Sequence, residues 1–217
     1  GTTDNPSVGG TLRAAALTVN AIRIDNVTGD FSYGGGILRL HKFGFTQDDG
    51  TYEAELMHNT VNDRIAARAS VKDGSLENII MIAKAPLTKV TGRLDGDIII
   101  DGMLHNPNAR IKGRITQGML DDYPVDPSDI DVSFEEGVLH VDKLALNAAG
   151  GILAAQGTYA LHGPVDIQVA AKNFSTKILQ DVLNENSVPV DSRIDFALNV
   201  SGTGDAPVAE GSIQLNG

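Results

Sequence analysis

One turn recurs in this chain about every hundred residues, and that recurrence limits the available folds more than any single residue does. The stretches GTTDNPSVGG (Gly1–Gly10), GMLHNPNARIKG (Gly102–Gly113) and GTGDAPVAEG (Gly202–Gly211) share one plan. A Gly is followed five residues later by Pro, and a second Gly leads into an apolar/polar alternation. The prolines are Pro6, Pro107 and Pro207, spaced by 101 and 100 residues. A second match has the same offset: GGILRLHKFGF (Gly35–Phe45) precedes EGVLHVDKLAL (Glu136–Leu146) by 101 residues. Both lose phase at the same place. Leu38 and Leu40 alternate, Lys42 breaks the beat, and Phe43 and Phe45 resume it; Leu139, Val141, Lys143, Leu144 and Leu146 do likewise. One extra residue that shifts an alternation is the mark of a β-bulge. A period near one hundred is too long for a parallel β-helix, whose coils take roughly 20 to 30 residues.

Period-two alternation runs through the rest of the unit. Leu94, Ile98 and Ile100 oppose Arg93, Asp95, Asp97 and Asp101, and Ile111 and Ile115 oppose Arg110, Lys112 and Arg114. Ile130, Val132 and Phe134 oppose Asp129, Asp131, Ser133 and Glu135. Val165, Ile167 and Val169 form another apolar set, as do Ile194, Phe196, Leu198 and Val200. Strict alternation marks sheets with one apolar and one wet face, and short Gly, Pro, Asn and Asp turns between runs mark antiparallel hairpins. The 24 glycines suit such turns and bulges. Two stretches break the period, one per unit: Ser75–Lys84 and Phe174–Asn186 read as short helices, ending near Pro86 and Pro189. Ile178, Leu179, Val182 and Leu183 fall on one stripe of the second, and Asn173 or Ser175 is placed to cap it.

The expected fold is mainly β: an extended antiparallel curled sheet of two repeated units, each with one short helix. Residues 1–101 form the first unit, 102–201 the second, and 202–217 open a third, so the chain reads as a piece excised from a longer one. The apolar face must be covered or must line a gutter. The terminal strands, near Leu12–Val19 and Val208–Leu215, are expected to seek partners by edge-strand self-association.

Strands patterned G-x-L-x-G-x-I-x-I-x-G ahead of the Gly-Pro turn, with short helices between, resemble the TamB/AsmA-like proteins of bacterial envelopes. The clearest matches are Gly92–Gly113 and Asp191–Gly211. The resemblance implies a taco-shaped sheet with a hydrophobic inner face, lying in the periplasm of a Gram-negative bacterium and held at the inner membrane by an N-terminal helix. It implies a bridge-like protein that carries phospholipid between inner and outer membranes. Some members pair with an outer-membrane barrel partner of the Omp85 type, through parts outside this chain. The lipid-facing set is then the apolar set named above, from Leu38 to Val200, with acyl chains as the ligand and no cofactor. The competing expectation is a structural or chaperone-like module that assists outer-membrane protein assembly by β-strand pairing.

Other chemistry finds little support. A net charge of −11 opposes a nucleic-acid partner. There is no Cys, so no disulfide framework or thiolate metal site. His41, His58, His105, His140 and His162 form no ligand-spaced pair. The acidic turns at Asp48–Asp49–Gly50 and at Asp121, Asp122 and Asp126 lack the alternation and distal Glu of a calcium loop. Gly34–Gly36 lacks the Lys-Ser/Thr of a phosphate loop and reads as a hairpin. No nucleophile–base pair stands out, so a non-enzymatic role is expected, with no catalytic and no metal residues.

Overall fold

The computed structural model describes residues 6–19, 21–83, 90–120, 123–125, 127–148, 150–160, 163–178, 192–204 and 206–216. Among them are fourteen strands. The first seven are β1 (Ser7–Val19), β2 (Ile22–Gly34), β3 (Ile37–Gln47), β4 (Gly50–Asn59), β5 (Arg64–Ser75), β6 (Val90–Met103) and β7 (Asn106–Leu120). Then come β8 (Tyr123–Val125), β9 (Ser128–Glu135), β10 (Val138–Ala148), β11 (Gly151–Ala160), β12 (Pro164–Ser175), β13 (Arg193–Thr203) and β14 (Ala206–Asn216). The fold is therefore mainly β and antiparallel throughout its described pairings. Contacts divide the chain into two compact units, Gly1–Gly113 and Arg114–Gly217, with the division inside β7. In the first unit, strands neighbour one another in chain order from β1 to β7. In the second, the order is β7, β8, β10, β11, β12, β13, β14, and β9 pairs with both β10 and β7.

The repeat is visible strand by strand. β3 and β10, 101 residues apart, have the same burial sequence along their length. The expected bulge is present in both: register jumps between Leu40 and Phe43 against β4, and between Val141 and Leu144 against β11. Lys42 takes a positive φ of 48° to make that jump. β5 and β12 lie 100 residues apart, and each bulges three residues from the same end, between Val71 and Gly74 and between Ala171 and Phe174. The offset falls from 101 to 100 in the turn before these strands. Four residues, Thr60–Asp63, separate the strands in the first unit, and three positions of the sequence, 161–163, separate them in the second. The Gly35–Gly36 stretch is the β2–β3 hairpin, with φ of 58° and 73°.

The second bulge shows what a kink of this kind demands. Asp73 and Asn173 adopt φ of 53° and 52°, and the bulge takes their peptide groups out of the ladder. Side chains of the next strand take over. The Asp73 amide donates to Asp95 Oδ1 at 2.8 Å, and its carbonyl accepts from Arg93 at 3.3 Å. The Asn173 amide donates to Asp195 Oδ1 at 2.6 Å, and its carbonyl accepts from Arg193 at 3.1 Å. An Arg-x-Asp triplet thus clamps one displaced residue in each unit, satisfying backbone groups that would otherwise lose their partners.

A helix follows that bulge. α1 (Leu76–Ala83) is capped by Ser75, whose Oγ accepts the Asn78 amide at 3.3 Å. In the second unit helical backbone begins at residues 176–178. The remainder of the expected second helix, with Leu179, Val182, Leu183 and Pro189, lies outside the described residues, as do Lys84 and Pro86. Phe174 and Ser175 belong to β12 rather than to the helix. Asn173 does not cap it: its side-chain amide donates to the Gly150 carbonyl at 3.0 Å, because the bulge turns it away.

Beside the helix the sheet is closed by a core. In the first unit Ile22, Ile24 and Val27 cluster with Ala14, Phe43 and Phe45. Phe45 stacks on Tyr52 with centroids 4.6 Å apart. The Tyr52 hydroxyl accepts the Ser75 amide at 3.1 Å and donates to Gln47 at 3.4 Å. Burial raises the Tyr52 pKa above the ordinary phenol value. In the second unit Val125, Ala148, Ala171, Phe174 and Ile178 form the core. The two cores place their aromatic ring differently. Tyr52 rises from β4 in the first unit, where its hydroxyl would meet any Cβ at Gly74. In the second unit Phe174 stands at the position of Gly74, and the smaller Leu153 replaces Tyr52. The ring buried beside the bulge is thus Tyr52 of β4 in the first unit and Phe174 of β12 in the second.

The repeat also exposes a defect. Val27 is 1 % exposed in the first core, and its counterpart 101 residues on is Ser128, equally buried. The Ser128 hydroxyl has no hydrogen-bond partner among the described residues. Ser128→Val should therefore stabilise the protein by about 1–2 kcal/mol, by removing an unpaired buried hydroxyl and adding apolar contact. A rise in melting temperature of a few degrees on thermal unfolding is the expected reading. A fall would mean that the pocket is too tight for the added methyl groups.

Candidate functional site

Residues directly opposite each other in an antiparallel ladder project from the same face, so the registers show which apolar side chains share a surface. In the first unit one row reads Phe31, Leu40, Leu56, Ala67, Ile100 across β2 to β6. The next, toward the helix, reads Phe43, Ala54, Ala69, Ile98. The third reads Phe45, Tyr52, Val71, Gly96. Leu38 heads a row through His58 and Ile65 to Gly102. Leu94 lies beside the bulge, opposite Gly74. Leu38, Leu40, Phe43, Phe45, Leu94, Ile98 and Ile100 are thus brought to one face, as expected.

The second unit does the same with longer rows. Phe134, Leu139, Tyr159 and Val165 form one, ending at Gly202 and Pro207. Val132, Val141, Gly157, Ile167, Val200 and Ala209 form the next. Ile130, Leu144, Ala155, Val169, Leu198 and Gly211 form a third. Leu146, Leu153, Ala171, Phe196 and Ile213 form a fourth, and Ile194 opposes Phe174 and Leu215. Gly157 is required in its row: a Cβ there would collide with the Asp166 carbonyl of β12. Ile111 and Ile115 alternate with the exposed Lys112 and Arg114 in β7 and are half-buried.

Burial divides these residues sharply. Leu94, Val165 and Ile194 are buried, at 4 %, 5 % and 8 % exposure. Every other apolar candidate from Leu38 to Val200 is half-buried. A face sealed inside a sandwich would be buried along its length. Here burial is concentrated at the helix end, in the two cores, with Val165 a separate buried residue near the opposite end of β12, and the apolar residues of the rows farther from the helix are otherwise mostly half-buried. Each unit accordingly presents a broad apolar surface with a closed end.

The opposite face is wet and mixed in charge. Thr28, Gly44, Glu53, Ser70 and Asp97 form one row across it, along a hollow of about 490 Å³ that Lys42, Glu55 and Arg68 also line. Lys143 bridges to Asp129 at 2.7 Å, and that hydrogen bond holds the Asp129 carboxyl below the usual carboxylate range. The Asp63 carboxylate meets His58 at 3.0 Å and His105 at 3.7 Å. Among the described residues no group of three or more His, Asp or Glu is arranged to hold a metal ion. Asp49 of the first acidic turn bonds Arg93 at 3.4 Å. Asp121, Asp122 and Asp126 of the other, and His162, lie outside the described residues. No helix among the described residues is long and apolar enough to cross a membrane.

Sequence reasoning missed part of the apolar face. Leu56, Ala54, Ala67 and Ala69 complete the rows of the first unit, and their alternation with Glu53, Glu55, Arg68 and Ser70 was a usable signal. In β11 four consecutive apolar residues, Ile152–Ala155, hide the period; Leu153 and Ala155 face the apolar side, while Ile152 is 50 % exposed. The Arg-x-Asp clamps, at 93–95 and 193–195, were legible as a repeated triplet. Comparison with protein families, with characterised proteins and with solved structures gives no match for this chain.

Proposed function

We propose that the apolar face of each unit binds lipid acyl chains, and that this chain is a periplasmic segment of a bridge-like protein transferring phospholipid between the inner and outer membranes. The observation that carries the reading is the half-burial of the apolar rows between the cores and the hairpin turns. Such a surface is costly to leave in water. Exposing a 14-carbon acyl chain costs about 11 kcal/mol, at about 0.8 kcal/mol per methylene, and laying it on an apolar face recovers much of that for both partners. The contact is non-directional, so a tail can shift along the face without leaving a deep specific well. Headgroups would remain in water at the uncovered side. The resemblance to TamB/AsmA-like proteins supports the same reading and supplies the compartment.

The test is native purification from a Gram-negative envelope followed by mass spectrometry of extracted lipid, with delipidated protein challenged by a fluorescent fatty acid. Co-purified diacyl phospholipid, displaceable by the fatty acid, is the expected result. A lipid-free preparation that ignores the fatty acid would overturn the proposal. If that preparation captured extended peptides instead, the strand-pairing chaperone would take its place.

A further inference from the structure

We propose, resting on the acyl-chain reading above, that His58, Asp63 and His105 of the first unit bind the primary ammonium of an ethanolamine phospholipid whose tail lies on the apolar face. His58 interrupts that face. The apolar-face row nearest the hairpin turns reads Leu38, His58, Ile65, Gly102, and the His58 side chain is 21 % exposed. Its Nε2 donates to Asp63 Oδ1 at 3.0 Å. Asp63 ends the β4–β5 turn at a φ of 55°. Its carbonyl accepts the Leu104 amide at 2.8 Å, which ties it to the β6–β7 turn. Thr60, at the other end of the β4–β5 turn, donates to the Gly36 carbonyl from its amide at 2.8 Å and from its hydroxyl at 2.9 Å. The carboxylate is therefore carried on a turn held from both sides. His105, in the β6–β7 turn, brings its Nδ1 to 3.7 Å from Asp63 Oδ2, too far for a direct hydrogen bond. A third group that donates N–H can sit between them.

A primary ammonium suits that gap. It carries a positive charge and several N–H donors, one for the carboxylate and another for the His105 ring nitrogen. A choline headgroup has the charge but no N–H. An anionic headgroup would meet the Asp63 carboxylate on a chain of net charge −11. The three side chains are not arranged to hold a metal ion. Their place fits a headgroup as well. The buried apolar residues described in the first unit, among them Val27, Tyr52, Val71 and Leu94, lie toward the helix end, so a tail enters from the hairpin side. Tyr52 and His58 stand six residues apart on β4, about 20 Å. A tail covers about 15 Å, half the hydrocarbon thickness of a bilayer. With its methyl end against the core, its headgroup reaches His58 and Asp63, and the phosphate beyond the ethylene link stays in water. The repeat does not require these groups: Tyr159 stands at the position of His58 in the second unit, and Gly163 at that of Asp63.

The test titrates the whole delipidated chain with phosphatidylethanolamine, phosphatidylcholine and phosphatidylglycerol that bear the same fluorescent tail. Phosphatidylethanolamine should bind most tightly. Asp63→Asn should weaken it about two- to fivefold without weakening the other two. Asn adopts the left-handed backbone as readily as Asp does, so thermal unfolding should not change. Glu53→Gln removes the same charge from an exposed position on the wet face and should leave the preference intact. Glycerophosphoethanolamine, the headgroup without tails, should not displace the lipid at equal concentration; displacement would assign the groups to a soluble amine and overturn the proposal. Equal binding of the three headgroups, a preference that survives Asp63→Asn, or one that falls equally in Glu53→Gln would overturn it and leave the acyl-chain reading standing. A chain that binds none of the three lipids would overturn both.

Discussion

Ile100→Asp and Leu139→Arg should each leave the protein folded and abolish its capture of acyl chains. Both residues are half-buried on the apolar face, Ile100 opposite Ala67 and Leu139 between Phe134 and Tyr159. A charge placed there keeps part of its hydration, so the cost is mainly lost apolar contact, about 1–2 kcal/mol. The melting temperature should fall by only a few degrees. Lipid is affected far more, because a tail crossing that row must desolvate the charge or leave the surface. Thermal unfolding and photocrosslinking to an acyl probe, run on the same preparations, read the two effects separately. Unfolding by both variants would show that the face is an ordinary core. Folded variants with unchanged lipid capture would show that tails do not pass over these rows.

Phe174→Asp should do the reverse and unfold the second unit. Phe174 is 3 % exposed and packs against Val125, Ala148, Ala171 and Ile178. Removing the ring alone costs about 3–5 kcal/mol, and an unpaired carboxylate in its place adds a desolvation penalty. Together these approach the whole stability of an ordinary domain, about 5–15 kcal/mol. Ile178→Asp, at 1 % exposure, should behave alike. Far-UV circular dichroism and urea unfolding are the measurements. A cooperative transition near the wild-type midpoint in either variant would mean that the helix end is not the anchor of the unit. The contrast between Phe174 and Leu139, both apolar and both on the same face, distinguishes a core from a binding surface.

The sequence alone determined the elements and their faces. Period-two alternation is a property of each strand by itself, so the sharing of one face by Leu38, Leu40, Phe43 and Phe45 needed no knowledge of neighbours. The bulge at Lys42 was equally local, because one inserted residue shifts the phase of everything after it. Repetition at an offset of 100–101 residues then fixed a modular antiparallel sheet with one helix per unit.

Only the tertiary structure decided how wet each apolar residue is. Leu94 and Ile98 stand on one face of one strand, yet Leu94 is buried and Ile98 is half-buried. Alternation cannot separate them, because exposure depends on what packs above, and the core beside the helix covers only one end of the strands. The same holds for Ser128, whose polarity suggests a turn although it is as buried as Val27, its counterpart in the first unit. The clamps on Asp73 and Asn173 bring together residues 20 and 22 positions apart in the chain. The buried ring comes from β4 in one unit, as Tyr52, and from β12 in the other, as Phe174. Face membership follows from backbone geometry and is written locally, whereas burial is set by distant segments meeting in space.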